Sequence, residues 1–155
     1  MTTKVKYLRV CSDLHLEFYP SQPLVEVVEE LLPRDPRDLD SLLVLAGDIS
    51  SDWDQLLQFF TQIHARFKQI LYVPGNHEHE MKDWEDFATV LEDTFNIWVT
   101  GNDVNQSFMV NDFLVMATTL WADAGGAGSL SAIHISRWPD FRRIQTGKGR
   151  GFTVE

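Results

Sequence analysis

Three short polar motifs follow apolar, strand-like segments of this chain. They are Ser12–His15 (SDLH), Gly47–Asp48 and Gly75–Glu78 (GNHE). Carboxylate, imidazole and amide groups are hard or borderline ligands that bind divalent cations. A glycine in two of the motifs allows the sharp backbone turn that brings a side chain close to an ion. The residue types and their spacing therefore predict a divalent metal site.

Four side chains of these motifs are candidate ligands. Asp13 and His15 are two residues apart, so in extended backbone they point the same way and can hold one cation. Asp48 has two carboxylate oxygens and could bridge two cations, and the amide oxygen of Asn76 is a neutral ligand for a second ion. This mixture of oxygen and nitrogen ligands suits Mn, Fe, Zn or Ni.

The elements that position the motifs alternate between strand and helix. Short apolar runs predict strands at Val5–Val10, Leu42–Ala46 and Ile70–Val73. Apolar residues at helical spacing predict helices at Leu24–Leu32, Trp53–Phe67 and Trp84–Phe95. The order β-α-β-α-β-α predicts an α/β fold with a parallel sheet. All three motifs then lie at the carboxyl ends of strands, where open α/β sheets bind their ligands.

The pattern changes after Asn96. Two apolar segments, Ser107–Val110 and Phe113–Thr118, flank Asn111-Asp112 and predict a β-hairpin. Glycine-rich loops are predicted at Ala124–Gly128 and Gly147–Gly151. Because the sequence shows neither an internal repeat nor a second domain boundary, we expect residues 1–155 to form a single domain.

Composition limits the classes of partner. The 155 residues include 13 Lys and Arg against 23 Asp and Glu, a net charge of −10. Such an acidic chain repels nucleic acid and anionic lipid, so we expect nucleic acid only as a substrate and no membrane association. No apolar run is long enough to span a bilayer. The single cysteine, Cys11, and the lack of a secretory signal are typical of a cytoplasmic protein.

In combination, the three motifs resemble those of the calcineurin-like metallophosphoesterases. The segment Ser12–Phe18 (SDLHLEF) resembles a bacterial and phage-type branch of that family. Two later segments, Thr118–Asp123 and Pro139–Ile144, resemble the same branch, so the resemblance covers essentially the whole chain. It implies a β-sandwich flanked by helices.

The resemblance also implies roles for individual residues. Asp13 and His15 match ligands of a first metal, Asp48 matches the ligand that bridges both metals, and Asn76 matches a ligand of the second. His77 matches a catalytic histidine that faces the phosphoryl group or the leaving oxygen. The implied function is a metal-dependent phosphatase or phosphodiesterase, in which two divalent ions, manganese among the candidates, activate a hydroxide that attacks phosphorus.

The chain also departs from the family pattern. Complete members supply three further ligand histidines from a second half, which is absent before Glu155. We therefore expect an incomplete sandwich with exposed apolar residues on its hairpin. The alternative function is a catalytically weak or inactive metallophosphoesterase fragment that binds metal and a partner. Either a second copy of the chain or another protein could complete the fold.

Three residues in or beside the motifs have open roles. Glu17 and Glu78 either orient His15 or His77 from behind the metal site or are solvated. His79 either contacts substrate, replaces a missing metal ligand or is an exposed loop histidine.

Overall fold

The structure is a computed structural model that describes residues 2–81, 84–100, 106–119, 145–146 and 150–151. These residues form nine strands: β1 (Thr2–Thr3), β2 (Tyr7–Cys11), β3 (Ser41–Ala46), β4 (Gln69–Val73), β5 (Trp98–Val99), β6 (Ser107–Val110), β7 (Phe113–Met116), β8 (Gln145–Thr146) and β9 (Arg150–Gly151). They also form four α-helices: α1 (Leu24–Leu31), α2 (Trp53–Ile63), α3 (Asn76–His79) and α4 (Trp84–Phe95).

The main sheet is parallel, in the order β2-β3-β4-β5. Its first three strands and helices α1, α2 and α4 follow the predicted β-α-β-α-β-α order, so the predicted α/β fold class is confirmed. Strand β5 was not predicted because only Trp98 and Val99 pair with β4. The predicted extension of α2 to Phe67 is wrong, since the helix ends at Ile63 and a 3₁₀ turn covers His64–Arg66.

Both faces of strand β3 are covered. Leu43 and Leu45 of β3 pack into the core formed with the helices, whereas Leu42 and Val44, which alternate with them, pack into a second cluster with Val110 of β6. Side chains alternate between the faces of a strand, so a strand covered on both sides needs apolar residues throughout. This explains the continuous apolar run of β3.

A second, smaller sheet covers the face opposite the helices. Its order is β1-β6-β7, with β1 parallel to β6 and β6 antiparallel to β7, which confirms the predicted hairpin. Trp98 of β5 stacks on Phe108 of β6 with ring centroids 4.7 Å apart. The Asn111 side chain in the hairpin turn accepts a hydrogen bond from the Val5 N–H and donates one to the Val5 carbonyl, both at 3.0 Å. The two sheets thus form a sandwich.

Apolar side chains remain exposed on strands of both sheets. On β2, at the edge of the main sheet, Leu8 and Val10 are exposed. On β7, Phe113, Leu114 and Met116 are exposed. The expectation of exposed apolar residues on the hairpin is therefore confirmed.

The predictions for the glycine-rich segments can be compared with the structure only in part. Arg150 and Gly151 form β9 and pair antiparallel with β8, so the predicted loop at Gly147–Gly151 is wrong for these two residues. Residues 147–149, Ala124–Gly128 and Pro139–Ile144 lie outside the described residues. Across the part of the chain that the structure describes, no helix has the length and apolar character needed to cross a membrane.

Candidate functional site

The first motif leaves β2 in a left-handed backbone conformation. Asp13 has φ 54° and His15 has φ 46°, so the predicted extended backbone at these residues is wrong. Their N–H groups donate hydrogen bonds to the carbonyls of Gly47 and Asp48, each at 3.0 Å. These bonds to the second motif hold the first loop in a conformation that is unfavourable for residues other than glycine.

The second motif also has positive φ angles, which strain Asp48 but not Gly47. Gly47 has φ 87° and Asp48 has φ 55°. Ligand atoms of Asp13, His15 and Asp48 all lie within 4.8 Å of one another. Three of the four proposed ligands are thus gathered at the carboxyl ends of β2 and β3, each on left-handed backbone. Such strain is concentrated at functional sites, where the surrounding structure must hold it in place.

The third motif is tied directly to the second. The His77 N–H donates to Asp48 Oδ1 at 3.1 Å. A Cβ atom on Gly75 would lie 2.6 Å from the backbone nitrogen of Asp48, so only glycine allows the two loops to approach this closely. Asn76, the fourth proposed ligand, is half-buried and begins α3 immediately before His77.

Glu78 is fully buried beneath the site, so the solvated interpretation of this residue is wrong. Its carboxylate accepts five hydrogen bonds: from the backbone N–H groups of Asp48, Ile49, Ser50 and Gly75, and from the Tyr72 hydroxyl. Charged acceptors form strong hydrogen bonds, and these donors replace the water lost on burial. Glu78 therefore fastens the second loop to the third.

Glu17 lies above the site and contacts two histidines. Its Oε1 atom is 2.7 Å from His77 Nδ1 and 3.2 Å from His15 Nδ1. Burial on its own would raise the pKa of Glu17, but hydrogen bonds from the backbone, His15 and His77 outweigh it and leave that pKa below its ordinary value. Glu17 is therefore a carboxylate anion at neutral pH.

His79 is buried on the other side of α3, so its interpretation as an exposed loop residue is wrong. Its side chain is 7% exposed, and its ring packs edge-on against Trp84 with centroids 6.1 Å apart. Burial lowers its pKa. Among the described residues, His79 belongs to neither cluster of candidate ligands.

Phe18 is a site residue that the sequence reasoning did not single out. Its ring stacks on His15 with centroids 5.3 Å apart and lies 6.4 Å from the His77 ring, yet the residue is 69% exposed. The signal available in the sequence was an aromatic residue three positions after His15, at the end of the segment Ser12–Phe18.

The donor set fits a divalent cation. Two carboxylates and one imidazole converge from two loops, and all are at least partly accessible to solvent. Because Glu17 occupies Nδ1 of His15, the Nε2 atom of that ring remains available as a ligand. Metal-binding histidines usually have such a carboxylate on their other ring nitrogen.

Comparison with known proteins decides the family. The model of the calcineurin-like phosphoesterase family matches residues 8–150, nearly the whole chain. The chain belongs to the calcineurin-like phosphoesterase family. Membership of this family supports the use of divalent metal.

Two relatives are similar in sequence to this calcineurin-like phosphoesterase. An uncharacterized protein of Acanthamoeba polyphaga mimivirus is 30% identical over 145 residues, covering 86% of this chain and 49% of the relative. The [acyl-carrier-protein] phosphodiesterase PptH of Mycobacterium tuberculosis is 36% identical over 67 residues, covering 43% of this chain and 19% of PptH.

The crystal structure of the phosphopantetheinyl hydrolase PptH from Mycobacterium tuberculosis shares the fold. The TM-score is 0.63 at 18% identity, over 94% of this chain and 56% of PptH. The chain thus spans about half the length of the mimivirus relative and of the PptH structure.

The later family-like segments are described only in part. In Thr118–Asp123 the structure describes Thr118 and Thr119. The Thr119 hydroxyl donates to the Pro74 carbonyl at 2.6 Å, which brings the end of the hairpin beside the third motif.

Proposed function

We propose that this chain hydrolyses phosphoesters with the help of two divalent ions (Mn, Fe, Zn or Ni), held by Asp13, His15, Asp48 and Asn76. The observation that carries the proposal is the convergence of the Asp13, His15 and Asp48 ligand atoms within 4.8 Å. When bound, divalent ions activate water and stabilise negative charge on phosphate oxygens. The acidic body of the protein makes such local positive charge necessary for an anionic substrate.

His77 is the proposed catalytic residue. Its backbone N–H bonds to Asp48 and its Nδ1 atom lies 2.7 Å from Glu17, so the ring is held at the edge of the ligand cluster. In the imidazolium form of the ring, the other nitrogen, Nε2, also carries a hydrogen, which it can transfer to the leaving oxygen of the ester or share in a hydrogen bond with a phosphate oxygen. PptH is named a phosphodiesterase, which favours phosphodiesters as the substrate class.

The test is hydrolysis of para-nitrophenyl phosphate and bis(para-nitrophenyl) phosphate by the purified chain, with and without Mn²⁺. We expect metal-dependent turnover that H77A lowers by at least a hundredfold, within the range that general acid–base catalysis contributes. H64A is the matched control, because His64 is exposed at the end of α2 and bonds to the Phe60 carbonyl. Absence of turnover with every divalent ion, or equal loss in both variants, would contradict the proposal.

A second candidate function is a metal-binding module that associates with another copy of the chain. The exposed apolar residues Leu8 and Val10 on β2 and Phe113, Leu114 and Met116 on β7 favour it, since association with a second copy would remove such side chains from water. Metal analysis and molar mass in solution separate the two candidates. About two ions per chain with turnover supports the enzyme, whereas one ion or none in an inactive dimer supports the module.

A further inference from the structure

A single carboxylate oxygen serves both histidines of the site. Oε1 of Glu17 is 2.7 Å from His77 Nδ1 and 3.2 Å from His15 Nδ1, and the two rings meet edge to face with centroids 4.5 Å apart. The Glu17 side chain is 14% exposed, so bulk water competes little for its oxygens. The proposed metal ligand and the proposed catalytic histidine thus have one partner in common.

The spacing is that of hydrogen bonds. Ligand atoms on one tetrahedral ion, with bonds of about 2.1 Å, lie about 3.4 Å apart. The 2.7 Å between Glu17 and His77 is shorter than that and equals a charge-assisted N–H···O distance. The cluster of His15, Glu17 and His77 is therefore a hydrogen-bonded group in which Glu17 is the acceptor.

Glu17 is itself held in place by the backbone of two loops. The Ser51 N–H lies 3.4 Å from Glu17 Oε2, and the Leu16 N–H donates to the Ile49 carbonyl at 2.9 Å. Glu17 belongs to a 3₁₀ turn over Leu16–Phe18 that begins directly after His15. It therefore links the loop of its own motif to the second loop through Ser51 and to the third through His77.

A carboxylate anion only accepts hydrogen bonds, so both Nδ1 atoms must carry the hydrogen. We propose that Glu17 is a positioning residue that keeps a hydrogen on Nδ1 of His15 and of His77 through one oxygen. The consequence is that Nε2 of His15 keeps its lone pair for a cation, and Nε2 of His77 is the ring nitrogen that takes up and donates the catalytic proton. This inference rests on the proposed function for the roles of the two histidines. The hydrogen bonds from which it is argued do not depend on any reaction.

The tautomers can be measured directly on the metal-free protein. Two-bond ¹⁵N–¹H correlation spectra assign the protonated nitrogen of each imidazole, with H15A and H77A identifying the signals. We expect a hydrogen on Nδ1 of both rings in the wild-type chain, in the neutral imidazole and in the imidazolium alike. E17A removes the acceptor, so both rings should move toward Nε2–H, whereas E17Q retains an oxygen acceptor and should keep much of the wild-type pattern. E26Q, on the exposed face of α1, is the control and should change nothing.

Kinetics and metal binding provide a second readout. Loss of a carboxylate behind a metal-binding histidine typically costs 10–100-fold in metal affinity or activity. We expect E17A to weaken Mn²⁺ binding and lower kcat by about this factor, and E17Q to recover part of the metal affinity.

A wild-type chain in which Nδ1 of either ring lacks a hydrogen, or an unchanged position of the hydrogens in folded E17A, would overturn the inference. If E17A does not fold, the wild-type and E17Q spectra still decide. The expected tautomers in a chain that hydrolyses no ester would contradict the proposed function and leave the role of Glu17 standing. Turnover in a chain whose histidines carry no hydrogen on Nδ1 would contradict the role of Glu17 and leave the proposed function standing.

Discussion

The carboxylate of Glu78 accepts a hydrogen bond from the backbone N–H of Asp48 at 3.0 Å, across 30 residues of sequence. This bond holds Asp48 in a left-handed conformation next to the third motif. A fully buried anion thereby replaces the water that would otherwise solvate several backbone groups of two loops. Glu78 lies behind the proposed metal ligands, yet the geometry of the site depends on it.

Truncation of Glu78 is expected to be severely destabilising. E78A leaves four backbone N–H groups and the Tyr72 hydroxyl without their acceptor in a buried place. Each buried unsatisfied donor costs about 1–3 kcal/mol, so even with partial relaxation we expect a loss of more than 3 kcal/mol in the free energy of unfolding. Urea denaturation measures it. Y72F, which removes only one of the donors, should cost about 1 kcal/mol, and equal losses in the two variants would contradict the assigned role.

Replacement of Asp13 by glycine should separate stability from metal binding. Asp13 is exposed and has φ 54°, a conformation that costs other residues about 1–3 kcal/mol and glycine little. We therefore expect metal-free D13G to be at least as stable as the wild-type chain in thermal unfolding. A ligand at a hundred times its Kd adds about 2.7 kcal/mol, and D13G should lose most of this stabilisation by Mn²⁺.

The same substitution elsewhere provides the control. Asp54 lies in the first turn of α2, where glycine is about 1 kcal/mol less favourable than a good helix former. D54G should therefore lower the stability of the metal-free chain and leave the response to Mn²⁺ intact. A lower stability of metal-free D13G would contradict the argument from backbone strain.

Acid should weaken the fold through Asp38. This buried carboxylate accepts from Arg9 at 2.8 Å and from Arg66 at 3.1 Å. Burial alone would raise the pKa of Asp38, but hydrogen bonds from Arg9, the Asp35 backbone and Arg66 lower it below the ordinary value. A lowered pKa in the folded state contributes stability that is complete above the unfolded pKa of about 3.9 and is lost as the pH falls through the folded pKa.

The measurement is urea denaturation of the wild-type chain and D38N from pH 7 downward. We expect D38N to be less stable by about 3 kcal/mol at pH 7, because it leaves two arginines without their buried partner. The difference should shrink below pH of about 4. D40N is the control: Asp40 pairs with Lys6 at the surface, and such pairs contribute about 1 kcal/mol or less. A difference for D38N that does not depend on pH would contradict the linkage.

Phe18 is expected to contact the organic group of a phosphoester. Its exposed ring stacks on His15 and lies close to His77. Contact between two aromatic rings is worth about 1 kcal/mol, or roughly fivefold in binding. F18A should therefore weaken inhibition by phenyl phosphate about fivefold and leave inhibition by inorganic phosphate unchanged. F113A, an exposed phenylalanine on β7, should alter neither inhibition constant.

Much of the fold followed from local patterns. The apolar run at Leu42–Ala46 and the helical spacing at Leu24–Leu32 predicted β3 and α1 within one residue of their ends. The polar motifs were correctly placed at the ends of strands, because parallel strands bring their carboxyl ends to one edge. The shorter elements β1, β5 and α3 were missed, since two to four residues are too few to produce a periodic signal.

The sequence by itself determined which residue types meet at this edge: Asp13, His15, Asp48, Asn76 and His77 were all chosen from the motifs. Only the tertiary structure decided how they are held. The left-handed backbone at Asp13 and His15 arises from hydrogen bonds to a loop some 30 residues away. The roles of Glu17 and Glu78 likewise depend on contacts between loops that are distant in sequence. No local pattern encodes such contacts, because they exist only once the strands have paired.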